Sequence, residues 1–479
     1  MKFSYKKWLM LVLPAFVFIG CKKELNVFPT DRQVDGNVII DVKSAATVLN
    51  GVYYRFANSS TDNNGIPSLK WMWVSEVIPS ELSGLLVNSN RDGLGDFTVD
   101  RTSYATADKW AYGYNLVNAA NGFLKNLEPA TTIADDVKKQ LQAEGRFLRA
   151  FGNADLLFHY GQYRDINSKY GIILRNEFVN SDNIDLPRSG VKETYDAILA
   201  DLDAAIAGLP PLNTKLSYAN VWVAKLLKAR VLINRGIGTD YATVISLTND
   251  IINNSKSQFE LEGLTKDIFW VKGFQSKEVM MTVQPFPNDT YKYMQYQYYT
   301  QYVGTPKLAK MMENDPRLAW TFKPVTKRGA TVNMFTKYYS GNVTTISPTS
   351  LSVNAYPFRL TEAYLLQAEA IALSGADLTL AKDRLKEVMG HAGITDFTTV
   401  NTTTNAAAFQ VLVVKETMKN FVGENGLDWL ALRRLPLLTI QQAEFRPELK
   451  SATSLILPVP STELNANTKA EQNPGYSTN

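Results

Sequence analysis

Two groups of flat aromatic side chains stand where no helical pattern claims them. Trp71 and Trp73 bracket Met72 in a stretch rich in Asn, Ser, Gly and Asp, and six tyrosines, Tyr291, Tyr293, Tyr296, Tyr298, Tyr299 and Tyr302, crowd positions 291–302. Rings of this kind can cover the C–H faces of a sugar. The hydroxyls around that face then need partners, because an unpaired polar group in the contact costs on the order of 1–3 kcal/mol. Asn88, Asn90, Arg91 and Asp92 lie beside the tryptophans, and Asn288, Asp289, Gln295 and Gln297 lie around the tyrosines. If Tyr291, Tyr293 and Gln295 alternate along an extended segment, one face can meet ligand while the other packs. The expected glycan contacts are therefore Trp71, Trp73, Asn90, Arg91, Asp92, Tyr291, Tyr293, Tyr296, Tyr298 and Tyr299. Burial in a core is the competing reading for every one of these rings. Trp110, Tyr114 and Trp222 differ, since their helical spacing assigns them to the core.

Catalysis is hard to assemble from what remains. The chain has two histidines, His159 and His391, and one cysteine. No HExxH or CxxC spacing supports a metal, and no GxSxG or phosphate-cradling glycine loop is present, so no catalytic residue, metal or cofactor is expected. Both histidines read as packing or surface groups. Glu76 and Glu81, close to the tryptophans, are the best pair for a glycosidase, which needs two carboxyls about 5–9 Å apart. Their plainer reading is as loop acids or hydroxyl acceptors. Three classes stay open: a non-catalytic glycan binder, a secreted glycoside hydrolase, and a peptide- or protein-docking module whose aromatics form an interface.

The N-terminus says where the chain acts. Lys2, Lys6 and Lys7 precede an apolar run, Trp8–Ile19, that is too short to span a bilayer and reads as a signal segment over residues 1–20. It closes on Gly20-Cys21, the arrangement of a bacterial lipoprotein cleavage site. Cys21 is then the lipid-bearing residue and membrane anchor, followed by a polar tether over 21–36. Loss of residues 1–20 removes three lysines and no acid, taking the formal charge from +4 to +1. A nearly neutral chain without a basic stripe is not a nucleic-acid binder.

Helical periodicity supplies the elements that must hold the aromatics. Val42–Phe56, Asp108–Leu127, Val137–Tyr160, Val191–Leu209, Tyr218–Gly236, Tyr241–Asn254, Ala406–Phe421 and Leu427–Leu435 read as helices. Phe358–Gly393 is the most regular unit, an αα-hairpin with a break at Ser374-Gly375-Ala376 and Asp377 placed to cap the return helix. Its alanines suit the close packing of tetratricopeptide-type hairpins. The expected fold is mainly α, a single domain over 37–479 with about four such hairpins near 108–160, 190–236, 238–255 and 358–393. The hairpin at 358–393 is expected to come last and to expose a polar edge. The insertion at 57–106 reads as loop with short strands or turns and that at 255–356 as loop apart from a buried strand at Glu278–Val283, so the fold carries a few short strands besides its helices.

Several stretches, in order, resemble the SusD/RagB family of Bacteroidetes surface lipoproteins over nearly the whole chain. They are Cys21 with Leu25–Thr30; Ala143–Ala150 followed by Tyr160-Gly161; Pro187-Arg188 with Tyr195, Ile198, Asp201-Leu202 and Leu209-Pro210; Asn314-Asp315-Pro316-Arg317; Arg359–Ala370; and Leu457–Pro460 with Asn467 and Gln472–Tyr476. The Arg/Ala-rich segment usual in the family reads Val388–Gly393 here, and its Glu-Gly-x-Arg-Trp stretch is only partly kept as Glu424–Trp429. The resemblance implies a SusD-like helical scaffold, an aromatic ligand platform on the loop side, and no general catalysis. It also implies a SusC-like TonB-dependent outer-membrane transporter as partner, to which captured oligosaccharide is passed at the cell surface.

Overall fold

A capping box opens the first helix, α1 (Val42–Phe56): Asp41 accepts from the Ser44 N–H at 2.7 Å while Ser44 accepts from the Asp41 N–H at 3.0 Å. The computed structural model describes residues 38–57, 73–89, 93–95, 99–283, 290–327, 329–436, 444 and 446–477. Cys21 and the tether, Trp71, Asn90, Arg91, Asp92, Asn288 and Asp289 lie outside them, as does the side chain of Tyr291. After a short helix α2 (Ile78–Leu82) come α3 (Tyr104–Leu127) and α4 (Asp135–Tyr160), then α5 (Val191–Gly208), α6 (Val221–Arg235) and α7 (Asp240–Asn254). Each of α3 to α7 packs on the next, and α1 lies against α3 and α4. Gly152 sets the spacing of α3 and α4, because a Cβ there would lie 2.8 Å from a Val117 methyl.

Beyond α7 the stack resumes only after a long detour. The short α8 (Pro306–Met311) belongs to the insertion, and the next scaffold helices are α9 (Leu360–Ser374), α10 (Thr379–His391), α11 (Ala406–Phe421) and α12 (Leu427–Arg434). α7 packs on α9, so the third helical pair is closed by a helix a hundred residues downstream. Gly375, in the left-handed conformation at φ 73°, ends α9, and Asp377 accepts from the Thr379 N–H at 2.8 Å at the start of α10.

The polar edge expected of the 358–393 hairpin falls on α10, where Asp383 and Glu387 are exposed, and not on α9. Every residue from Leu360 to Ala372 is buried, including Glu362, Gln367 and Glu369, so the helix has no polar edge to offer a partner. Nor is it peripheral, since α6, α7, α10 and α11 all pack on it. Its acids are paired instead. Arg230 of α6 grips Glu362 through two bonds of 2.6 and 2.7 Å, and Arg434 of α12 grips Glu369 at 2.9 and 2.6 Å.

The insertions are more regular than their composition suggests. β1 (Leu86–Asn88), β3 (Tyr302–Gly304), β5 (Ala330–Phe335) and β4 (Phe322–Lys327) form an antiparallel sheet in the order β1-β3-β5-β4, joining the two expected loop regions. The expected strand at 278–283 is β2 (Val279–Met281), paired with β6 (Phe358–Arg359) directly before α9. That pair brings the long insertion back to the scaffold. One apolar cluster of buried residues extends from Ile39 to Val459.

Candidate functional site

The tyrosine-rich stretch is not an alternating strand. It forms a helical turn, Tyr291–Tyr293, running into a π-helical turn, Met294–Tyr298. Helical geometry places residues three apart on one side, and Tyr293 and Tyr296 both turn inward, 5 % and 0 % exposed. Tyr296 packs its ring 4.9 Å from that of Phe335 and donates its hydroxyl to Glu76 at 3.3 Å. Burial, with the Glu76 charge beside it, holds the hydroxyl far above the usual phenol range. Tyr293 donates to the Ile346 carbonyl at 3.2 Å and lies beside Tyr339. Neither presents a face to a ligand, which corrects the expectation for both. Gln295, Gln297 and Asn88, the expected hydroxyl partners, are buried too, and Gln297 donates its amide to the Phe335 carbonyl at 2.7 Å.

Tyr298 and Tyr299 end up on the outside. They are 52 % and 57 % exposed and meet edge to face, with ring centroids 5.1 Å apart and an interplanar angle of 83°. The backbone beneath them is well held. The Tyr299 N–H donates to Met294 at 2.8 Å, and Lys327 at the end of β4 donates to the carbonyls of Gln297 at 2.9 Å and Tyr298 at 2.5 Å. Thr300 follows at φ 51°, a left-handed conformation uncommon for a non-glycine residue, and its hydroxyl donates to the Tyr299 carbonyl at 2.6 Å. Such outliers persist only where the surroundings over-determine them.

Trp73 opens a π-helical turn, Trp73–Val77, and is half-buried, with its indole donating to Asp108 at 3.2 Å and its ring 5.9 Å from Tyr302. Its neighbours Glu76 and Glu81 are 2 % and 0 % exposed. Glu76 is paired with Lys292 at 2.7 Å, and the same ammonium lies 3.3 Å from the centre of the Tyr338 ring. Burial pushes the Glu76 carboxyl up, against the pull of Lys292. These acids are enclosed, so they are not the pair of an open glycosidase cleft. Lys292, Lys327 and Tyr338 are what the sequence reading missed. Lys292 stands between two of the tyrosines, but nothing in the sequence ties it to an acid more than two hundred residues away.

The histidines are structural. His159 donates from Nδ1 to the Asp155 carbonyl at 2.8 Å, and burial, reinforced by Lys109 and Arg433, holds its pKa well below the usual imidazole value. His391 bonds the Glu262 carbonyl at 2.7 Å. Trp110 and Trp222 are buried in the helical stack, and Tyr114 packs against it.

Two family models match the chain: one described as starch-binding and associating with the outer membrane, over residues 82–231, and the SusD family, over residues 276–476. Among solved structures, a SusD superfamily protein from Bacteroides vulgatus ATCC 8482 superposes with a TM-score of 0.74 at 19% identity, covering 92% of this chain and 100% of its own. A putative sugar-binding protein from the same strain gives 0.71 at 20% identity, with 92% and 100% covered. A laminarin-binding SusD-like protein gives 0.70 at 19%, with 91% and 100% covered. No curated protein matches by sequence. The helical scaffold is thus the one these structures share.

Proposed function

We propose that this chain, which belongs to the SusD/RagB family, is a non-catalytic lipoprotein that binds oligosaccharide at the outer membrane and delivers it to a TonB-dependent transporter. The observation that carries the binding reading is the Tyr298–Tyr299 pair, two rings braced from below and each more than half exposed. Rings at right angles offer a sugar one flat face and one edge, and tyrosine hydroxyls supply partners for its polar rim. The printed sugar-binding and laminarin-binding descriptions of the structural relatives support the same reading. Trp71, Asn90, Arg91 and Asp92 remain proposed contacts, together with Trp73 and Tyr291. The hydrolase alternative loses its best acid pair, because Glu76 and Glu81 are enclosed.

Anchoring rests on Cys21, and no described helix is long and apolar enough to cross a membrane. Calorimetric titration against a glycan panel, with product analysis of the same mixtures, tests the reading directly. Saturable binding with unchanged glycan is expected; released reducing ends would sink it. Cys21→Ser should abolish membrane retention, and the lipidated chain should co-purify with an outer-membrane barrel.

A further inference from the structure

We propose that the flank of the β4–β5 hairpin, from the tyrosine pair to Trp270, forms a second saccharide subsite that selects sugars bearing an anionic group, carboxylate or sulfate. The inference rests on the glycan-binding reading above and deepens it. Trp270 belongs to the π-helical turn Ile268–Lys272 and is half-buried, its indole held by a 3.1 Å bond to the Thr336 carbonyl. Two ammonium groups share that ring: Lys323 lies 5.3 Å from its centroid and Lys266 5.7 Å. Among the described residues neither lysine has a carboxylate partner, whereas nearby Lys272 is paired with Glu262. Two ammonium groups beside one indole, without a carboxylate partner, make this flank locally positive, so a sugar that reaches it gains by carrying an anionic group.

Lys323 also lines an open groove of about 690 Å³, with Leu318, Phe322 and Pro324 as apolar wall and Asn333, Lys310 and Glu313 as polar rim. That volume lies within the range of small-ligand sites, about 300–1,000 Å³. Side chains alternate along a strand, so Lys323 and Lys327 leave the same face of β4, four residues or roughly 13 Å apart. Lys327 braces the tyrosine pair and Lys323 stands at Trp270. A short acidic oligosaccharide can therefore touch both aromatic groups along one edge of the hairpin.

The test uses the full mature chain and one sugar backbone in two charge states: unesterified oligogalacturonate and its methyl ester, titrated calorimetrically at low and high salt. The wild type is expected to favour the unesterified form roughly tenfold at low salt, a preference that shrinks at high salt. Lys266→Gln with Lys323→Gln should bring the ratio close to one without lowering the melting temperature, and Trp270→Phe should keep the preference. Tyr298→Ala with Tyr299→Ala should weaken both forms alike. A double-lysine variant that keeps the preference, or a wild type that binds neither form or favours the ester, overturns the inference while leaving neutral-glycan binding to stand on the panel. A silent tyrosine variant overturns the span from Trp270 to the tyrosine pair.

Discussion

Tyr296 and its neighbours Tyr298 and Tyr299 look alike in sequence and end up in opposite environments, the first buried and the other two exposed. The first is sealed against Phe335 and Glu76, so Tyr296→Ala opens a cavity and leaves Glu76 to Lys292 alone, with an expected loss of about 3–5 kcal/mol in denaturant unfolding. Tyr298→Ala and Tyr299→Ala should leave stability within about 0.5 kcal/mol of wild type while weakening glycan binding roughly tenfold. Titration and unfolding on the same three proteins separate the roles; a stable, non-binding Tyr296→Ala would reverse the assignment. The sequence shows that this stretch carries ring chemistry but not which rings face out, because that depends on helical phase, and no helical pattern marks the stretch in sequence. Burial acts on Asp428 as well, pushing its carboxyl up to about 6 although Ser80 and Ser83 donate to it at 2.6 and 2.9 Å. The folded protein therefore holds this proton between roughly pH 4 and 6 where the unfolded chain has lost it. Its contribution is most favourable below pH 4 and declines as pH rises to 6, reaching a cost of roughly 3 kcal/mol at most above that. Asp428→Asn should accordingly gain stability over wild type as pH climbs from 4 to 6; a gap that stays constant with pH would exclude this titration.

At the level of elements, helix positions were largely legible and helix environments were not. The apolar spacing of Val42–Phe56 or Ala406–Phe421 marks each helix to the residue, since periodicity is local. The fate of Glu362 and Glu369 was not, because their partners Arg230 and Arg434 come from helices distant in sequence. The same holds for Arg359, wedged between Glu278 at 2.5 Å and Glu424 at 2.6 Å where β6 runs into α9. Its guanidinium lies 4.5 Å from the centre of the Phe421 ring and 5.4 Å from that of Phe269. Arg359→Met takes the cation from buried Glu278 and leaves Glu424 with Lys337 alone, and is expected to cost about 3–5 kcal/mol. Lys192→Ala, which removes an exposed helical pair with Asp196, should cost no more than about 0.5 kcal/mol. Chemical denaturation of the two variants compares them directly, and equal losses would mean that the buried pair does not hold the strand to the scaffold.

Across the whole molecule, the long insertion leaves the helical stack after α7 and returns at α9, and whether it behaves as a separate body follows from what joins it to the stack. Apolar residues of both parts belong to one buried cluster, with Phe269 and Phe335 alongside Phe421 and Leu427. Buried polar contacts cross the same boundary: Arg317 of the insertion pairs with Glu416 of α11 at 2.6 and 2.9 Å, and Lys337 donates to the carbonyls of Asn420 and Val422 at 2.7 and 3.0 Å. Losing the insertion alone would leave Glu416 without Arg317 and Glu424 without Lys337, and a buried carboxylate left unpaired costs about 3–5 kcal/mol. We therefore propose that scaffold and insertion form one cooperative unit, in agreement with the single domain read from the sequence. Scanning calorimetry of the mature chain should give one transition whose calorimetric and van't Hoff enthalpies agree. Arg317→Met should lower that transition without splitting it. Two resolved transitions in the wild type would instead make the insertion a body that opens on its own, and the tyrosine pair would then sit on a mobile platform.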